Sequence, residues 1–344
     1  MRRRTPATSR RTIATSRTAA RLAAAAAVLA LAGAATGAAS AATAAAPASV
    51  RPDAAASFAP YTDMSNSQEG LLDTAITQHG VRTFTAGFVI GSGCNQIWGD
   101  TLPVGDDSFT DPLIEKAQSE GASVIVSSGG AAGLPLAWSC TDQSAITAGY
   151  QKIIDSYHPS SLDFDIEGGA IADTAAATRN MTAMKSLKDA NPGLTFSVTL
   201  PVLPDGLTAD GVNIIKAAKD AGVKIDVVNI MTMDYYQGSQ DMGQAAISAA
   251  TSTLAQLRSV DASYGYDNLG ITPMIGVNDD GSVFTTDNAS TVKDWASANG
   301  VGRLSYWSIN RDQSCGAGSV GAAASPTCSG VSQNQLAFTD IFGS

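Results

Sequence analysis

Residues 161–169 read SLDFDIEGG, an alternation of apolar and acidic side chains that ends in two glycines. On a β-strand alternate side chains share a face, so the apolar residues would cover one face and the acids the other. The three acids are Asp163, Asp165 and Glu167. They would recur at roughly 6.6 Å along the strand, where crowded like charges cost free energy unless some are protonated or hydrogen-bonded. A row of this kind needs a functional reason.

Proton transfer gives that reason, because like-charge neighbours raise the pKa of one carboxyl group and keep it protonated near neutral pH. Glu167 is last in the row and is the predicted catalytic acid. Asp165, one step deeper, would hold a shared proton and hydrogen-bond to Glu167, and Asp163 would lie deeper still as a buffer for Asp165. Two other interpretations stay open here: a divalent-cation site made of the same acids, and a solvated acidic face of an antiparallel strand.

Short apolar, β-branched runs recur along the chain between longer helical stretches, which is typical of parallel strands covered by helices. The eight predicted strands are 57–61, 83–90, 123–128, 161–167, 195–201, 226–233, 269–276 and 303–308. The predicted helices include 67–79, 142–157, 172–190, 209–221, 243–257 and 286–299. Gly80, Gly121, Gly222 and Gly300 each follow a helical run, as C-terminal caps do. The succession predicts an α/β fold, a single-domain (β/α)8 TIM barrel with its active site at the carboxyl ends of the strands.

The segment Asp163-x-Asp165-x-Glu167 resembles the catalytic strand of the family 18 glycoside hydrolases, the chitinase family. Three further segments resemble motifs of that family, and they fall on predicted strands three, six and eight. They are Ser127-Ser128-Gly129-Gly130 for its S-x-G-G motif, NIMTMDY at 229–235 for its M-x-Y-D segment, and LSYWS at 304–308 for the strand with its tryptophan floor. Residues 199–204 and 272–279 are similar to a bacterial, actinobacterial-type branch of these chitinases.

The resemblance implies substrate-assisted catalysis, an exception to the scheme in which the enzyme supplies two carboxylates. Glu167 would protonate the glycosidic oxygen, the substrate's own 2-acetamido carbonyl would attack the anomeric carbon, and Asp165 would orient and stabilise the oxazolinium ion. Asp234 would hold the acetamido group or tune the acid. Trp307 would form an apolar floor under the sugar, with plain core packing as the alternative. The other residues that these motifs place at the substrate are Met231, Ser127 and Gly129.

This chain departs from the family pattern at two positions. Ser160 stands where the family often has a further aspartate, and Met233 stands where M-x-Y-D has tyrosine. The tyrosine hydroxyl usually bonds the acetamido oxygen, and a thioether cannot donate a hydrogen bond. Tyr235 or Tyr236 is expected to supply the hydroxyl instead.

The first 46 residues differ from the rest, because seven arginines and no acidic residue accompany a run rich in Ala and Leu. This order predicts a signal peptide with an Ala-rich leader, exported by the Sec or the twin-arginine route, followed by a catalytic domain at 47–344. A retained membrane anchor is the alternative, although Ala adds little hydrophobic drive per residue.

Removal of the leader would lower the count of Lys and Arg from 21 to 14 against 31 Asp and Glu, a net charge near −17. Such a surface repels phosphate backbones, so a nucleic-acid partner is not expected. Four cysteines in an exported chain predict two disulfides. Of the three possible pairings we favour Cys94 with Cys140 and Cys315 with Cys328, with free thiols or a metal site as the alternative.

The predicted function is that of a secreted, extracellular chitinase that cleaves β-1,4-N-acetylglucosamine linkages in chitin or its oligosaccharides. It is expected to act as a monomer without cofactor or metal, and without a membrane once the signal is removed. An endo-β-N-acetylglucosaminidase acting on N-glycans would share the catalytic strand. A non-catalytic chitin-binding barrel is the third possibility, although members of that kind usually lack the acid. Trp98 would either stack on a sugar ring or pack in the core.

Overall fold

The structure, a computed structural model, describes residues 56–66, 69–99, 101–238, 240–316 and 323–344. The predicted signal peptide and leader lie outside these residues. Within the described part of the chain, no helix is long and apolar enough to cross a membrane.

Eight parallel strands, paired in sequence order, form a closed barrel. Their bounds are Ser57–Phe58 with Tyr61–Asp63 for the first strand, Thr83–Ser92, Ser123–Gly129, Ser161–Asp165, Thr195–Leu203, Val227–Met231, Leu269–Thr272 and Arg303–Leu304. The first strand closes the barrel, because Ser57 lies opposite Arg303 of the eighth strand and Tyr61 lies opposite Thr85 of the second. The predicted (β/α)8 fold is therefore confirmed.

The first strand is interrupted at Pro60, which has no N–H group to donate to a neighbouring strand. The main chain nevertheless continues in the same direction. The carbonyl of Pro60 accepts a hydrogen bond of 2.8 Å from the Thr85 N–H, and the Tyr61 N–H donates to the Tyr306 carbonyl at 3.0 Å. The prediction of one strand at 57–61 therefore becomes two short segments that reach Asp63.

Helices follow the strands and cover the outside of the barrel. Their bounds are Glu69–Thr77, Thr110–Ser119, Leu136–Ser139, Gln143–Tyr157, Thr174–Ala190, Ala209–Asp220, Met242–Val260, Thr286–Asn299 and Ala337–Gly343. Acceptor side chains cap the N-termini of five of them: Asp142, Asp173, Thr208, Asp241 and Thr285. The C-terminal cap Gly300 has φ 67°, a left-handed conformation in which glycine carries no side-chain penalty.

The core lies between the strands and this layer of helices. The ring of Phe164, on the fourth strand, packs against that of Tyr150 with centroids 4.9 Å apart. On the helix before the eighth strand, Val292 and Ala296 are fully buried, and Trp295 packs edge-on against Tyr266. These residues face the sheet because they recur at helical spacing.

Two disulfides fasten loops at the carboxyl ends of the strands. Cys94 follows the second strand and pairs with Cys140, and Cys315 follows the eighth strand and pairs with Cys328. The structure therefore has the pairing that the sequence favoured. Between the second strand and the helix Thr110–Ser119, the chain adds two short antiparallel strands, Asn95–Trp98 and Leu102–Pro103.

Candidate active site

The fourth strand separates apolar from acidic side chains as its alternation predicted. Leu162, Phe164 and Ile166 are buried within the hydrophobic core. Asp163 and Asp165 point to the other face and are 1% and 3% exposed. The pairing with the neighbouring strands ends at Asp165, two residues earlier than predicted, and Glu167 continues in an extended conformation with φ −140° and ψ −178°. Glu167 therefore stands where the barrel interior opens.

Asp163 is surrounded by hydroxyl groups from three other strands. Its Oδ2 accepts hydrogen bonds from Tyr61 at 2.8 Å and Ser127 at 2.7 Å, and its Oδ1 accepts one from Ser197 at 2.5 Å. The Thr199 hydroxyl lies 3.0 Å from both oxygens. These donors stand in place of the hydration that a buried carboxylate loses, and they fix the position of the Asp163 side chain.

The network below the site extends to a buried cation. A guanidinium N–H of Arg303, at the start of the eighth strand, donates to the Ser197 hydroxyl at 2.9 Å, and that hydroxyl donates to Asp163. Arg303 is 7% exposed. A positive charge therefore lies one hydroxyl away from the deepest carboxylate of the row.

Asp165 has the opposite surroundings. It is as buried as Asp163, but its Oδ1 has no hydrogen-bond partner. In the described part of the chain no hydrogen bond joins Asp165 to Glu167, so the predicted sharing of a proton between these two carboxyl groups stays a prediction. Burial raises the pKa of Asp165 well above its usual value, and the charges of Glu167 and Asp163 raise it further. A carboxyl group in such surroundings favours the protonated form.

Glu167 has a pKa raised to about 7, mainly by burial and then by the charge of Asp234. The pKa of Asp234 is itself raised, mainly by burial and also by the charges of Asp279 and Asp280, although two main-chain N–H groups that donate hydrogen bonds to it lower the pKa in part. One of these is the main-chain N–H of Asp280, at 3.0 Å from Asp234 Oδ1. Glu167 is thus a carboxylic acid that can hold its proton near neutral pH.

A cavity of about 480 Å³ lies in front of Glu167. Its lining residues are Tyr61, Phe88, Ala131, Asp165, Glu167, Thr199, Met231, Met233, Asp234, Tyr236, Thr272, Met274, Asp279 and Trp307. The indole of Trp307 stacks on the Phe88 ring at 5.5 Å between centroids with an interplanar angle of 21°. The cavity therefore combines aromatic with acidic lining residues, which suits a ligand that has both an apolar face and polar groups.

The structure brings six of the predicted site residues to this cavity. They are Glu167, Asp165, Asp234, Met231, Tyr236 and Trp307. Trp307 thus lines an open space, whereas core packing was its alternative. Of the two tyrosines that were candidates for the missing hydroxyl, Tyr236 lines the cavity and is 75% exposed, while Tyr235 is 3% exposed and does not line it.

Besides Tyr235, three other predicted residues lie elsewhere. Asp163 and Ser127 belong to the network under the cavity, where Ser127 donates to Asp163 and is fully buried. Gly129 lines a neighbouring cavity, and a Cβ there would collide with the Asp165 carbonyl. With φ 125°, Gly129 is required by the close approach of two strands. Ser127 therefore lies buried under the cavity and does not line it, whereas Gly129 lines the neighbouring cavity, so the substrate contact that the motif predicted there stays a prediction.

The sequence did not predict several residues that other strands bring to the site. Tyr61, Ser197 and Thr199 bond Asp163, and Phe88 and Asp279 line the cavity. One signal was available: Ser127 and Ser197 lie in register with Asp163 on the flanking strands, so inward-facing hydroxyls occur at one depth. This signal can be used only when the register between neighbouring strands is known, and the sequence alone does not provide that register.

The neighbouring cavity also measures about 480 Å³, and Phe88 lines both. Trp98 lines it but is only 2% exposed, and its indole N–H donates to the Tyr157 hydroxyl at 2.6 Å. Trp98 therefore packs in the core, the second of its two expected roles. Within the described residues, no group of three or more His, Cys, Asp or Glu side chains is arranged to hold a metal ion.

Comparisons with known proteins agree with this geometry. The chain is 34% identical over 310 residues to the probable bifunctional chitinase/lysozyme of Escherichia coli (strain K12), covering 83% of this chain and 34% of that protein. It is 34% identical over 274 residues to endochitinase 11 of Metarhizium anisopliae, covering 74% of this chain and 52% of that protein. No family model matches the chain.

Among solved structures, the catalytic domain of the hyperthermophilic chitinase from Pyrococcus furiosus matches with a TM-score of 0.75 and 34% identity. The match covers 85% of this chain and 95% of that chain. The chain belongs to the family 18 glycoside hydrolases. Catalytic-site mutants of the Pyrococcus furiosus chitinase have been crystallised with chito-oligosaccharides. This family 18 chain spans about a third and about half of the length of the two curated relatives.

Proposed function

We propose that this chain is the catalytic domain of a secreted chitinase that cleaves β-1,4-N-acetylglucosamine linkages by substrate-assisted catalysis with retained configuration. One observation carries the proposal: Glu167 lines the cavity with a pKa raised to about 7, beside an Asp165 carboxyl oxygen that has no partner in the protein. The relatives named as chitinases support the choice of an N-acetylated sugar as substrate.

In the first step Glu167 donates its proton to the glycosidic oxygen. The bond between that oxygen and the anomeric carbon breaks, and the leaving sugar departs with a neutral hydroxyl group. The acetamido carbonyl oxygen of the substrate forms a new bond to the same carbon, which gives a cyclic oxazolinium ion. No nucleophile from the enzyme is needed, which agrees with a cavity that holds one acid at its mouth and a second deeper inside.

Asp165 acts on the acetamido group. Its Oδ1 is buried and lacks a protein donor, so the acetamido N–H of the substrate satisfies it. The interaction strengthens when the nitrogen gains positive charge in the oxazolinium ion, because the hydrogen bond that Oδ1 accepts from the N–H group is then charge-assisted and lies in a dry cavity. Asp163 stays below the substrate and keeps the strand in place through its hydroxyl donors.

Asp234, Tyr236 and Trp307 bind the sugar. Asp234 lies beside Glu167, and its charge contributes to the raised pKa of that acid. Trp307 presents its indole face to the apolar face of the sugar ring. Tyr236 lines the cavity and supplies the hydroxyl that Met233 lacks.

In the second step water attacks the anomeric carbon and the oxazolinium ring opens. The Glu167 carboxylate accepts the proton of that water, which restores the acid for the next cycle. The two displacements at one carbon leave the product with the β configuration of the substrate.

The experiment is hydrolysis of an N-acetylglucosamine oligomer by the wild type and by Glu167→Gln, followed by NMR of the first product anomer. We expect β product from the wild type and a rate at least about a hundredfold lower for the variant, since a positioned general acid contributes about that much or more. A fully active Glu167→Gln, or α product, refutes the mechanism. Cleavage of a high-mannose glycoprotein without cleavage of the oligomer identifies an endo-β-N-acetylglucosaminidase instead.

A further inference from the structure

Arg311 is a buried cation close to the cavity. It lies in the turn Ile309–Arg311, four residues after Trp307, and is 1% exposed. Its guanidinium donates to the carbonyls of Ile275 at 2.9 Å and Val277 at 2.7 Å, and also to that of Ser325. Among the described residues it forms no ion pair with a carboxylate. A buried charge is costly unless it is hydrogen-bonded or near an opposite charge, so these carbonyls hold Arg311 in place, and the charges of Asp279 and Asp234 also stabilise the cation.

The segment that Arg311 clamps is connected to Trp307. The Ile275 N–H donates to the Trp307 carbonyl at 3.1 Å, and the Trp307 N–H donates to the Pro273 carbonyl at 2.9 Å. A shift of residues 273–275 would therefore move the main chain that carries the indole floor of the cavity.

The same segment is connected to Asp234, which also lines the cavity. Asn278 donates through its side-chain amide to the carbonyls of Met274 and Gly276, at 2.9 and 3.0 Å, and its Oδ1 accepts from the Asp234 N–H at 3.3 Å. Two residues further on, the Asp280 N–H donates to Asp234 Oδ1 at 3.0 Å. Residues 275–280 thus fix both the main chain and the carboxyl group of Asp234.

The backbone of Asp234 needs such support. It has φ 47°, in the left-handed region that residues other than glycine adopt infrequently. A residue of this kind keeps its conformation only when its surroundings determine it. The bonds from Asn278 and Asp280 do so, and Arg311 holds the segment from which both come.

We propose that Arg311 is a positioning residue for sugar binding, which aligns Asp234 and Trp307 by clamping the main chain between them. The inference rests on the proposed function. Arg311 does not touch the substrate, because it does not line the cavity, and it acts through residues 273–280. Arg311 therefore affects the binding of an N-acetylated sugar that contacts both Asp234 and Trp307.

The test is a pair of double-mutant cycles measured on an N-acetylglucosamine oligomer. Arg311→Lys keeps the charge but loses the planar fork that reaches several carbonyls at once. We expect it to lower kcat/KM about tenfold, mainly through a higher KM, because Asp234 and Trp307 bind the sugar before and during the reaction. Arg311→Met, if it folds, should lose more.

The cycles combine Arg311→Lys with Asp234→Asn and, separately, with Trp307→Phe. Residues that act through one another give non-additive effects. We therefore expect Arg311→Lys to lower kcat/KM less than about threefold in at least one of the two variants, Asp234→Asn or Trp307→Phe. Arg258→Lys is the matched control, since the Arg258 guanidinium also donates to a main-chain carbonyl, that of Tyr264 at 3.0 Å, on the outer surface. It should leave KM unchanged.

Three outcomes separate the claims. A wild type that neither binds nor cleaves the oligomer refutes the proposed function and the role of Arg311 with it. If the wild type is active and the losses in kcat/KM of the single variants multiply fully in both double variants, the role of Arg311 is overturned and the proposed function stays intact. A lower melting temperature of Arg311→Lys with unchanged KM shows a purely structural arginine and also overturns the inference.

Discussion

Asp163 and Asp165 lie two residues apart on one strand and are equally buried, yet their surroundings differ. Asp163 accepts hydrogen bonds from Tyr61, Ser127, Ser197 and Thr199, whereas Asp165 has an oxygen without a partner. Satisfied buried carboxyl groups fix a structure, and unsatisfied ones keep a raised pKa and remain available to a ligand. In the proposed mechanism the lower barrel therefore supports the site, and the reacting groups begin at Asp165.

The largest effect should follow from removing the unsatisfied carboxyl group. Asp165→Ala should lower kcat at least about a hundredfold, because the oxazolinium ion then loses its stabilising partner. Initial rates on an N-acetylglucosamine oligomer test this. Asp155→Ala, which removes an exposed carboxylate from the outer helix Gln143–Tyr157, should keep the wild-type rate. Equal rates for the two variants would remove Asp165 from the mechanism.

Removing the satisfied carboxyl group should change stability instead. Asp163→Ala removes the acceptor that four buried hydroxyl groups share, of which those of Tyr61 and Thr199 still bond each other at 2.8 Å, and we expect the free energy of unfolding to fall by about 2 to 4 kcal/mol. Urea unfolding at neutral pH measures this. Asp165→Ala, which leaves no such group unpaired, should lose clearly less. A reversed order would show that the two surroundings have been assigned wrongly.

The acid at the mouth should reduce stability at high pH. The folded-state pKa of Glu167, about 7, exceeds the ordinary value of 4.5 that applies in the unfolded chain, so the stability that the protonated side chain contributes is fully present below pH 4.5 and is lost as the pH rises to about 7. Glu167→Gln should therefore be more stable than the wild type at pH 8, by about 1 to 3 kcal/mol, with no gain at pH 4. A gain of the same size at both pH values would contradict a raised pKa.

Single donors to Asp163 should give the smallest effects. Ser127→Ala and Tyr61→Phe each remove one of several hydrogen bonds, and each should cost about 1 kcal/mol of unfolding free energy. Thermal unfolding of both variants, beside a Ser160→Ala control outside the network, tests this. A loss as large as that of Asp163→Ala would mean that one donor holds the carboxylate alone.

The sequence predicted the eight strands because their apolar runs are interrupted by helical stretches, and it predicted Glu167 because an alternation of acids is visible in a single segment. It did not predict the support of Asp163, since Tyr61, Ser197 and Thr199 come from different strands and meet only through register. The break at Pro60 had a visible signal, because a proline has no N–H group to donate to a neighbouring strand.

The position of Ser127 and Gly129 shows the same limit. The S-x-G-G motif predicted that both residues contact the substrate. Whether they can do so depends on whether each lies level with Asp165 on the neighbouring strand or deeper in the barrel. Ser127 lies opposite Asp163 and Gly129 opposite Asp165. A motif therefore identified the right strand ends while leaving open which atoms face the cavity.

The central claim is that Glu167 donates a proton because burial and the neighbouring Asp234 raise its pKa. The direct measurement is the pH dependence of kcat/KM for the wild type and for Asp234→Asn. We expect the wild-type value to fall above pH 7 or so, as Glu167 loses its proton, and the fall to move to lower pH in the variant, where one source of the raised pKa is gone. A wild-type value that stays level from about pH 6 to about pH 9, or a fall at the same pH in both proteins, would contradict the account.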